Sequence, residues 1–293
     1  MLRVSVAFET LSSHGPMSAA SLSLGRTRFS GPRDQARHPH RASIVHELRL
    51  ISLTASTMRA APGQCYIGSV RTLIPVVLAL LLSGNAAAQK TVSFPTEDGG
   101  VVYADVYGKG DRGVVLAHGG RFDKESWEKQ ARTLAAAEFR VLALDFRGYG
   151  KSRGPGQFDP MSAPLHLDVL AAVRYLRKTG AKSVSVVGAS MGGGAAGDAS
   201  IASLPGEIDR VVLLGAAPNG PADKLKSSTL FIVARDDTSA DGPRLPRIRE
   251  QFEKAPGPKQ LIILDGSAHA QYLFQTNQGD RVMREILRFL SAK

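Results

Sequence analysis

From residue 91 to the end of the chain, short apolar segments alternate with segments of helical spacing. The apolar segments lack the polar alternation of a half-exposed strand, so they predict strands that are buried on both faces. Such strands require helices on both sides of the sheet. The sequence therefore predicts an α/β fold around a mostly parallel sheet. Residues 91–108 predict two strands that flank a turn at 97–100, and later strands are predicted over 113–120, 139–148, 183–190, 210–218, 229–237 and 259–266; helices are predicted over 126–138, 164–178, 191–203, 244–254 and 280–290.

The first 88 residues have a different character. Residues 1–57 are rich in Ser, Arg and His and show neither the strand nor the helix period, which predicts a poorly structured extension. Alternatively, this stretch lies upstream of the true translation start. Met58 is followed by two arginines, a short apolar run over residues 73–82 and the small residues around Ala88.

This pattern is typical of a secretory signal peptide over residues 58–88, cleaved after Ala88. Its apolar run is too short to span a bilayer, which takes about 20 residues. We therefore expect an exported protein, periplasmic or secreted, with a mature domain over 89–293 and no stable membrane insertion after cleavage. An uncleaved anchor or a buried helix is the alternative interpretation.

The charge distribution and the cysteine content limit the classes of partner and cofactor that the protein is expected to bind. The formal net charge is +11, but much of it comes from nine arginines within residues 1–88. The mature region has no strong basic run beyond the loose group Arg244, Arg247 and Arg249, so we expect no nucleic-acid partner. Cys65 is the sole cysteine and precedes the cleavage site. Without thiolates, zinc-type ligand spacing or a phosphate-binding loop, we expect no metal and no cofactor.

A candidate nucleophile lies in the sequence GASMG at residues 188–192. The pattern follows a predicted strand and opens a predicted helix, which is the setting in which a serine projects from a sharp turn at the sheet edge. Gly188 and Gly192 leave room where a side chain would clash. Ser190 is therefore predicted to be the nucleophile; a glycine-rich packing turn is the alternative.

A serine nucleophile needs a base, and three histidines follow residue 88. His269 follows the strand predicted over 259–266, in a loop at the same carboxyl edge as Ser190, and is the predicted base. His118 ends a strand before two glycines, which suits a role in shaping that loop. His166 lies early in a helix and is predicted to be a surface residue.

The base in turn needs a carboxylate to orient it. The strand predicted over 229–237 ends with two adjacent aspartates, whose side chains must diverge. Asp237 is the preferred candidate, because it is the third residue beyond Ala234, the last small residue of the strand. Asp236 and Asp241 remain alternatives.

Taken together, these residues resemble the α/β-hydrolase family. The resemblance covers most of 91–293 and rests on AHGG at 117–120, DFRGYGKS at 145–152, GASMG at 188–192, Asp237 and His269. The order serine, acid, histidine is that of the family. The turn motif at Asp145 and Arg147 matches a family element whose role is structural.

The resemblance also implies an oxyanion hole. One donor would be the backbone N–H of Met191, and the other that of Gly120, with Arg121 as second choice. The short connection between 218 and 229 resembles compact, lidless members such as dienelactone-hydrolase-like proteins and small esterases. Dienelactone hydrolases proper use cysteine where this chain has serine, so their substrate is not carried over. In a lidless site we expect the loops at 121–128 and 153–163 to form the walls, with Trp127 and Phe158 either lining the pocket or packing in the core.

The expected function is hydrolysis of a small-molecule carboxylic ester or thioester through an acyl-enzyme. A peptidase resembling the serine aminopeptidases and a non-catalytic binding protein on the same scaffold are the alternatives. The oligomeric state is not indicated by the sequence.

Overall fold

The computed structural model describes residues 89–156 and 162–292. The predicted extension and signal peptide at 1–88 lie outside the described residues, as does Phe158, so those expectations stay predictions. Within the described ranges, no helix combines the length and the apolar character that a membrane span requires.

The centre of the domain is an eight-stranded sheet in the order β1, β2, β4, β3, β5, β6, β7, β10. Only β2 runs against its neighbours; every other adjacent pair along β4, β3, β5, β6, β7 and β10 is parallel. This confirms the predicted mostly parallel sheet. The strands are β1 Lys90–Pro95, β2 Val101–Tyr107, β3 Arg112–Ala117, β4 Phe139–Leu144, β5 Ser183–Ala189, β6 Arg210–Leu214, β7 Ser228–Ala234 and β10 Lys259–Leu264; two short strands, β8 Thr238–Ser239 and β9 Gly242–Pro243, form a separate hairpin.

Helices cover both faces of this sheet, as predicted. In β5, Val184 and Val186 enter one apolar core, and Val187 and Ala189 enter the other, because successive side chains of a strand point to opposite faces. Helices α2, α3 and α4 pack on the first face, and α1 and α5 on the second. Their bounds are α1 Glu128–Ala136, α2 Leu165–Lys178, α3 Met191–Ala202, α4 Arg244–Lys254 and α5 Gly279–Ser291.

The predicted elements differ from the observed ones mainly at their ends. The helix predicted over 126–138 begins with a separate 3₁₀ turn at Lys124–Trp127. The strand predicted over 229–237 ends at Ala234, which leaves both aspartates in the loop. The β8–β9 hairpin and a 3₁₀ segment at Ala270–Gln275 have no counterpart among the predicted elements. Only a 3₁₀ turn at Ala222–Lys224 interrupts the chain between β6 and β7, so no lid is inserted there.

A buried ion cluster, made of Arg147, Asp98 and Asp168, lies just beyond β4. The Arg147 side chain is 1% exposed and donates to Asp168 Oδ1 from Nε (2.9 Å) and Nη2 (2.7 Å), and to Asp98 Oδ2 from Nη1 (2.6 Å). The hydrogen bond from Arg147 lowers the pKa of Asp98 to about 2. The same turn is held by Asp145, which accepts from the backbone N–H of Lys124 at 2.9 Å. These contacts agree with the structural role predicted for Asp145 and Arg147.

Candidate active site

Ser190 lies on a sharp turn between β5 and α3. Its backbone has φ 52° and ψ −116°, a left-handed conformation that costs a residue with a side chain roughly 1–3 kcal/mol. The turn is fixed from both sides: Ser190 N–H donates to Leu214 O at 3.0 Å, and the amides of Gly193 and Gly194 donate to Ser190 O at 2.9 and 3.0 Å. These hydrogen bonds to β6 and α3 hold the Ser190 backbone in its strained conformation.

The two glycines that flank this serine are required by close backbone contacts. A Cβ at Gly188 would lie 2.2 Å from Gly192 O, and a Cβ at Gly192 would lie 2.3 Å from Ala117 O. Both distances are far below van der Waals contact. The turn thus packs tightly against β3, as the packing interpretation requires, and at the same time presents the Ser190 hydroxyl at the sheet edge.

Ser190, His269 and Asp237 form one hydrogen-bonded chain. Ser190 Oγ lies 2.7 Å from His269 Nε2, and His269 Nδ1 lies 2.8 Å from Asp237 Oδ2. An ionised carboxylate can only accept, so Nδ1 carries the proton and Nε2 accepts from the serine hydroxyl. The Asp237 side chain is 1% exposed and that of His269 is 26% exposed, so the chain runs from the interior to a surface cavity.

The alternative acids lie elsewhere. Asp236 is exposed, and its backbone N–H donates to Gly266 O at 3.0 Å. Asp241 is exposed in the connection between β8 and β9. The structure therefore places Asp237, and neither of the other two aspartates, against His269.

Arg244, which sequence reasoning did not connect to the acid, closes the loop behind Asp237. Its backbone N–H donates to Asp237 O at 2.9 Å, across the β8–β9 hairpin. Its Nε lies 3.3 Å from Asp237 Oδ1, near enough for an ion pair, although neither atom has a well-directed hydrogen bond. The hairpin thus brings a positive charge to the far side of the carboxylate that faces His269.

Two backbone amides next to Ser190 have no acceptor among the described residues: those of Gly120 and Met191. The two residues are close, since a Cβ built on Gly120 would lie 3.7 Å from Met191 Sδ. Met191 also opens α3, where the helix dipole favours negative charge. An oxyanion hole requires free backbone donors beside the nucleophile. Arg121, the second choice, is exposed at the cavity wall.

Two further side chains orient the Gly120 loop, and neither was identified from the sequence. Buried Gln271 accepts from Gly119 N–H at 2.8 Å through Oε1 and donates to Ser126 Oγ at 2.9 Å through Nε2. Tyr149 donates its hydroxyl to Gly120 O at 2.8 Å. With Gly119 N–H occupied and Gly120 O held, the Gly120 N–H is the amide left free. Tyr149 belongs to the 145–152 motif, but nothing local distinguishes Gln271.

The other two histidines of the domain, His118 and His166, both lie near the site but in different environments. His118 is fully buried, receives the Phe146 N–H at 3.2 Å on Nε2 and lies 2.9 Å from Gly119 O through Nδ1. Burial lowers the pKa of His118, which keeps the ring neutral, and its predicted role in shaping the loop is confirmed. His166, in the first turn of α2, is half-buried and lines the surface cavity, a position that the surface prediction did not specify.

The cavity at the site has a volume of about 940 Å³ and contains Ser190, His269, Gly120 and Met191 in its lining. Trp127 is not part of it: the indole is 1% exposed and packs edge-to-face on Phe274, with ring centroids 5.8 Å apart. A smaller cavity of about 290 Å³ between α1 and α5 contains no histidine. In the described part of the chain, no three His, Cys, Asp or Glu side chains converge as metal ligands.

Comparisons with known proteins agree with this architecture. A family model described as the alpha/beta hydrolase fold matches residues 113–271. The chain is 31% identical over 121 residues to a non-heme haloperoxidase of Rhodococcus erythropolis, covering 41% of this chain and 42% of that protein. It is 30% identical over 172 residues to a 2-hydroxy-6-oxononadienedioate/2-hydroxy-6-oxononatrienedioate hydrolase of Burkholderia vietnamiensis, covering 58% and 56%.

The chain thus spans about half the length of these two relatives. Among solved structures, an esterase of Pyrococcus furiosus superposes with a TM-score of 0.56 at 21% identity, covering 70% of this chain and 92% of the esterase. At that identity the similarity is evidence for the fold. With the family model matching more than half of the residues, this chain belongs to the α/β-hydrolase fold family.

Proposed function

We propose that the protein is a serine hydrolase that cleaves a small carboxylic ester or thioester through an acyl-enzyme. The observation that supports this most directly is the chain from Ser190 through His269 to Asp237, which ends in a cavity beside two free amides. The relatives named as hydrolases make the same reaction class plausible on this fold.

The geometry suggests the role of each group. Ser190 Oγ attacks the acyl carbon while its proton passes to His269 Nε2, and Asp237 stabilises the resulting imidazolium. The amides of Gly120 and Met191 hold the negative oxygen of the tetrahedral intermediate. The intermediate collapses, and the bond to the leaving alcohol or thiol breaks as His269 returns the proton to it. Water then gives a proton to His269 and attacks the acyl carbon, and the bond from that carbon to Ser190 Oγ breaks as His269 returns the proton to Oγ.

Labelling with a fluorophosphonate probe, together with turnover of 4-nitrophenyl esters, tests this proposal. Ser190→Ala should abolish labelling and lower kcat by at least about 10⁴-fold, because no other group replaces the nucleophile. Alanine fits the same turn, so the melting temperature should stay within a few degrees. Ser291→Ala, exposed at the end of α5, is the matched control and should label normally. Activity of Ser190→Ala close to that of the wild type would refute the assignment.

We further propose that the protein is exported and that residues 58–88 are removed. The fold is compatible with cleavage after Ala88, because the side chain of Gln89 already bonds Asp105 Oδ2 at 2.8 Å and β1 begins at Lys90. Mass spectrometry of protein exported from a bacterial host should therefore find Gln89 as the first residue. A mass that includes Met1 or Met58 would contradict export with cleavage.

A further inference from the structure

Two arginines on α4 face the cavity that contains Ser190. Arg244 and Arg247 both line it, and they are three positions apart on the helix, so their side chains are neighbours on one face. We propose that they bind a carboxylate of the substrate, which makes the preferred substrates esters or thioesters that carry a second, free carboxylate. This inference rests on the proposed function and specifies its substrate class.

Arg244 has donors to spare. Its Nε is turned toward Asp237 Oδ1, but its two terminal nitrogens make no hydrogen bond with any described residue. The side chain is 30% exposed, and the residue lies in the cavity wall. Those terminal N–H groups therefore remain available to a ligand.

Unlike Arg244, Arg247 has no carboxylate partner in the described part of the chain, so its whole guanidinium group can bind a ligand. Its side chain is exposed and forms no ion pair or hydrogen bond with a described residue. The next residue, Ile248, is 3% exposed in the core, which holds this turn of α4 against the domain. Two neighbouring guanidinium groups repel each other unless an anion lies between them, and a carboxylate matches their planar donors.

The charged side chains of the cavity lining have a small net positive charge among the described residues. Asp198 is already engaged: it accepts from Asn219 N–H (2.9 Å), Asn219 Nδ2 (2.8 Å) and Gly220 N–H (2.9 Å). Asp241 is exposed in the wall, and its carboxylate makes no hydrogen bond with a described residue. With Arg121, the described residues of the lining include three arginines and two aspartates. This small excess of positive charge favours a monoanion such as a carboxylate over a more highly charged group.

Kinetics with paired substrates test the inference. The 4-nitrophenyl monoester of adipic acid carries the free carboxylate, and 4-nitrophenyl heptanoate is a neutral ester of similar length. The measured quantity is the ratio of their kcat/KM values. Arg247→Gln should lower this ratio about fivefold, the effect of losing one partly exposed charged contact, and Arg247→Glu should lower it further. Arg249→Gln, exposed on the same helix but outside the cavity lining, is the matched control and should leave the ratio unchanged.

Two more changes sharpen the result. Asp241→Asn should raise the ratio, because it removes a negative charge from the wall. The Arg247 effect should shrink at high salt, since exposed charges are screened. An Arg247→Gln ratio equal to that of Arg249→Gln would overturn the inference.

A binding measurement separates this inference from the proposed reaction. Monomethyl adipate is titrated calorimetrically into the Ser190→Ala protein with Arg247 intact, with Arg247→Gln and with Arg249→Gln. Weaker binding for Arg247→Gln alone supports the carboxylate site even if no ester is hydrolysed. Hydrolysis of the heptanoate ester, with binding that does not depend on Arg247, would leave the proposed function standing and refute the carboxylate site.

Discussion

The ion cluster around Arg147 and the chain from Ser190 to Asp237 both lie beyond the carboxyl ends of parallel strands, and each contains a fully buried aspartate, Asp168 in the first and Asp237 in the second. In the ion cluster, every guanidinium nitrogen of Arg147 donates to a carboxylate, and its backbone N–H donates to Asp168 Oδ2 at 2.9 Å. Around Ser190, by contrast, the amides of Gly120 and Met191 have no acceptor among the described residues.

This difference separates a structural use of polar groups from a chemical one. A buried network whose bonds are all made is rigid and has nothing left to offer a ligand. The free amides belong instead to exposed Gly120 and half-buried Met191 in the cavity wall, where an incoming group can accept from them. Asp237 shows the same feature, because its Oδ1 has only the poorly directed Arg244 Nε nearby. Substitutions in the two clusters should therefore have opposite consequences, activity being lost in one and stability in the other.

The largest effect should come from the triad acid. Asp237→Asn should lower kcat about 10⁴-fold, because the amide cannot stabilise the imidazolium and favours the wrong tautomer of His269. Asp236→Asn makes the same chemical change one residue away, on an exposed side chain, and should cost at most a few-fold. Steady-state kinetics on a 4-nitrophenyl ester provide the measurement. A large loss at Asp236 instead, or small losses at both positions, would contradict the role assigned to Asp237.

The second effect concerns stability. Arg147→Met should lower the free energy of unfolding by about 3–5 kcal/mol, because Asp98 and Asp168 keep their charges without the partner. Arg174→Met is the matched control: Arg174 also pairs with two carboxylates, Glu97 and Glu207, but its side chain is 48% exposed. Exposed pairs contribute about 1 kcal/mol or less. Urea denaturation measures both, and equal losses would show that burial of the Arg147 cluster is not what matters.

The two clusters also differ in how far the sequence predicts them. The serine turn is local: five consecutive residues contain the strand end, both required glycines and the nucleophile, and the observed clashes at Gly188 and Gly192 follow from that spacing. Asp237 is predictable from its place three residues beyond Ala234, although the strand itself ends at Ala234 and not at 237 as predicted. The Ser190 turn and Asp237 are thus both predictable from patterns within a single segment of the sequence.

Contacts between distant segments could not be predicted in this way. Gln271 is one polar residue in a loop, and its partner Gly119 lies 152 positions earlier in the chain. Arg244 reaches Asp237 only because the β8–β9 hairpin turns the chain back, and its two-residue strands give almost no periodic signal. His166 is predicted as a surface residue from its helix alone, and its place in the cavity wall depends on segments far away in the sequence.

The smallest change in activity should come from substitution of Gln271. This residue orients the loop of the free Gly120 amide but provides no donor to the substrate. Gln271→Met keeps the side-chain length but removes the acceptor of Gly119 N–H, so the loop no longer fixes the Gly120 amide. We expect kcat to fall about tenfold, with a smaller change in KM, since the lost precision affects the transition state more than substrate binding.

Gln275→Met is the matched control, because Gln275 belongs to the same 3₁₀ segment but is exposed, and its side chain forms no hydrogen bond with a described residue. Melting curves of both variants show whether the protein remains folded at the assay temperature. We expect kcat of Gln271→Met to fall even where the protein is fully folded. If Gln271→Met instead lowers the melting temperature while kcat of the folded fraction is unchanged, Gln271 belongs with Arg147 among the structural polar groups. A loss of kcat in the stably folded protein places it with the free amides, as a residue that positions the oxyanion hole from a distant part of the chain.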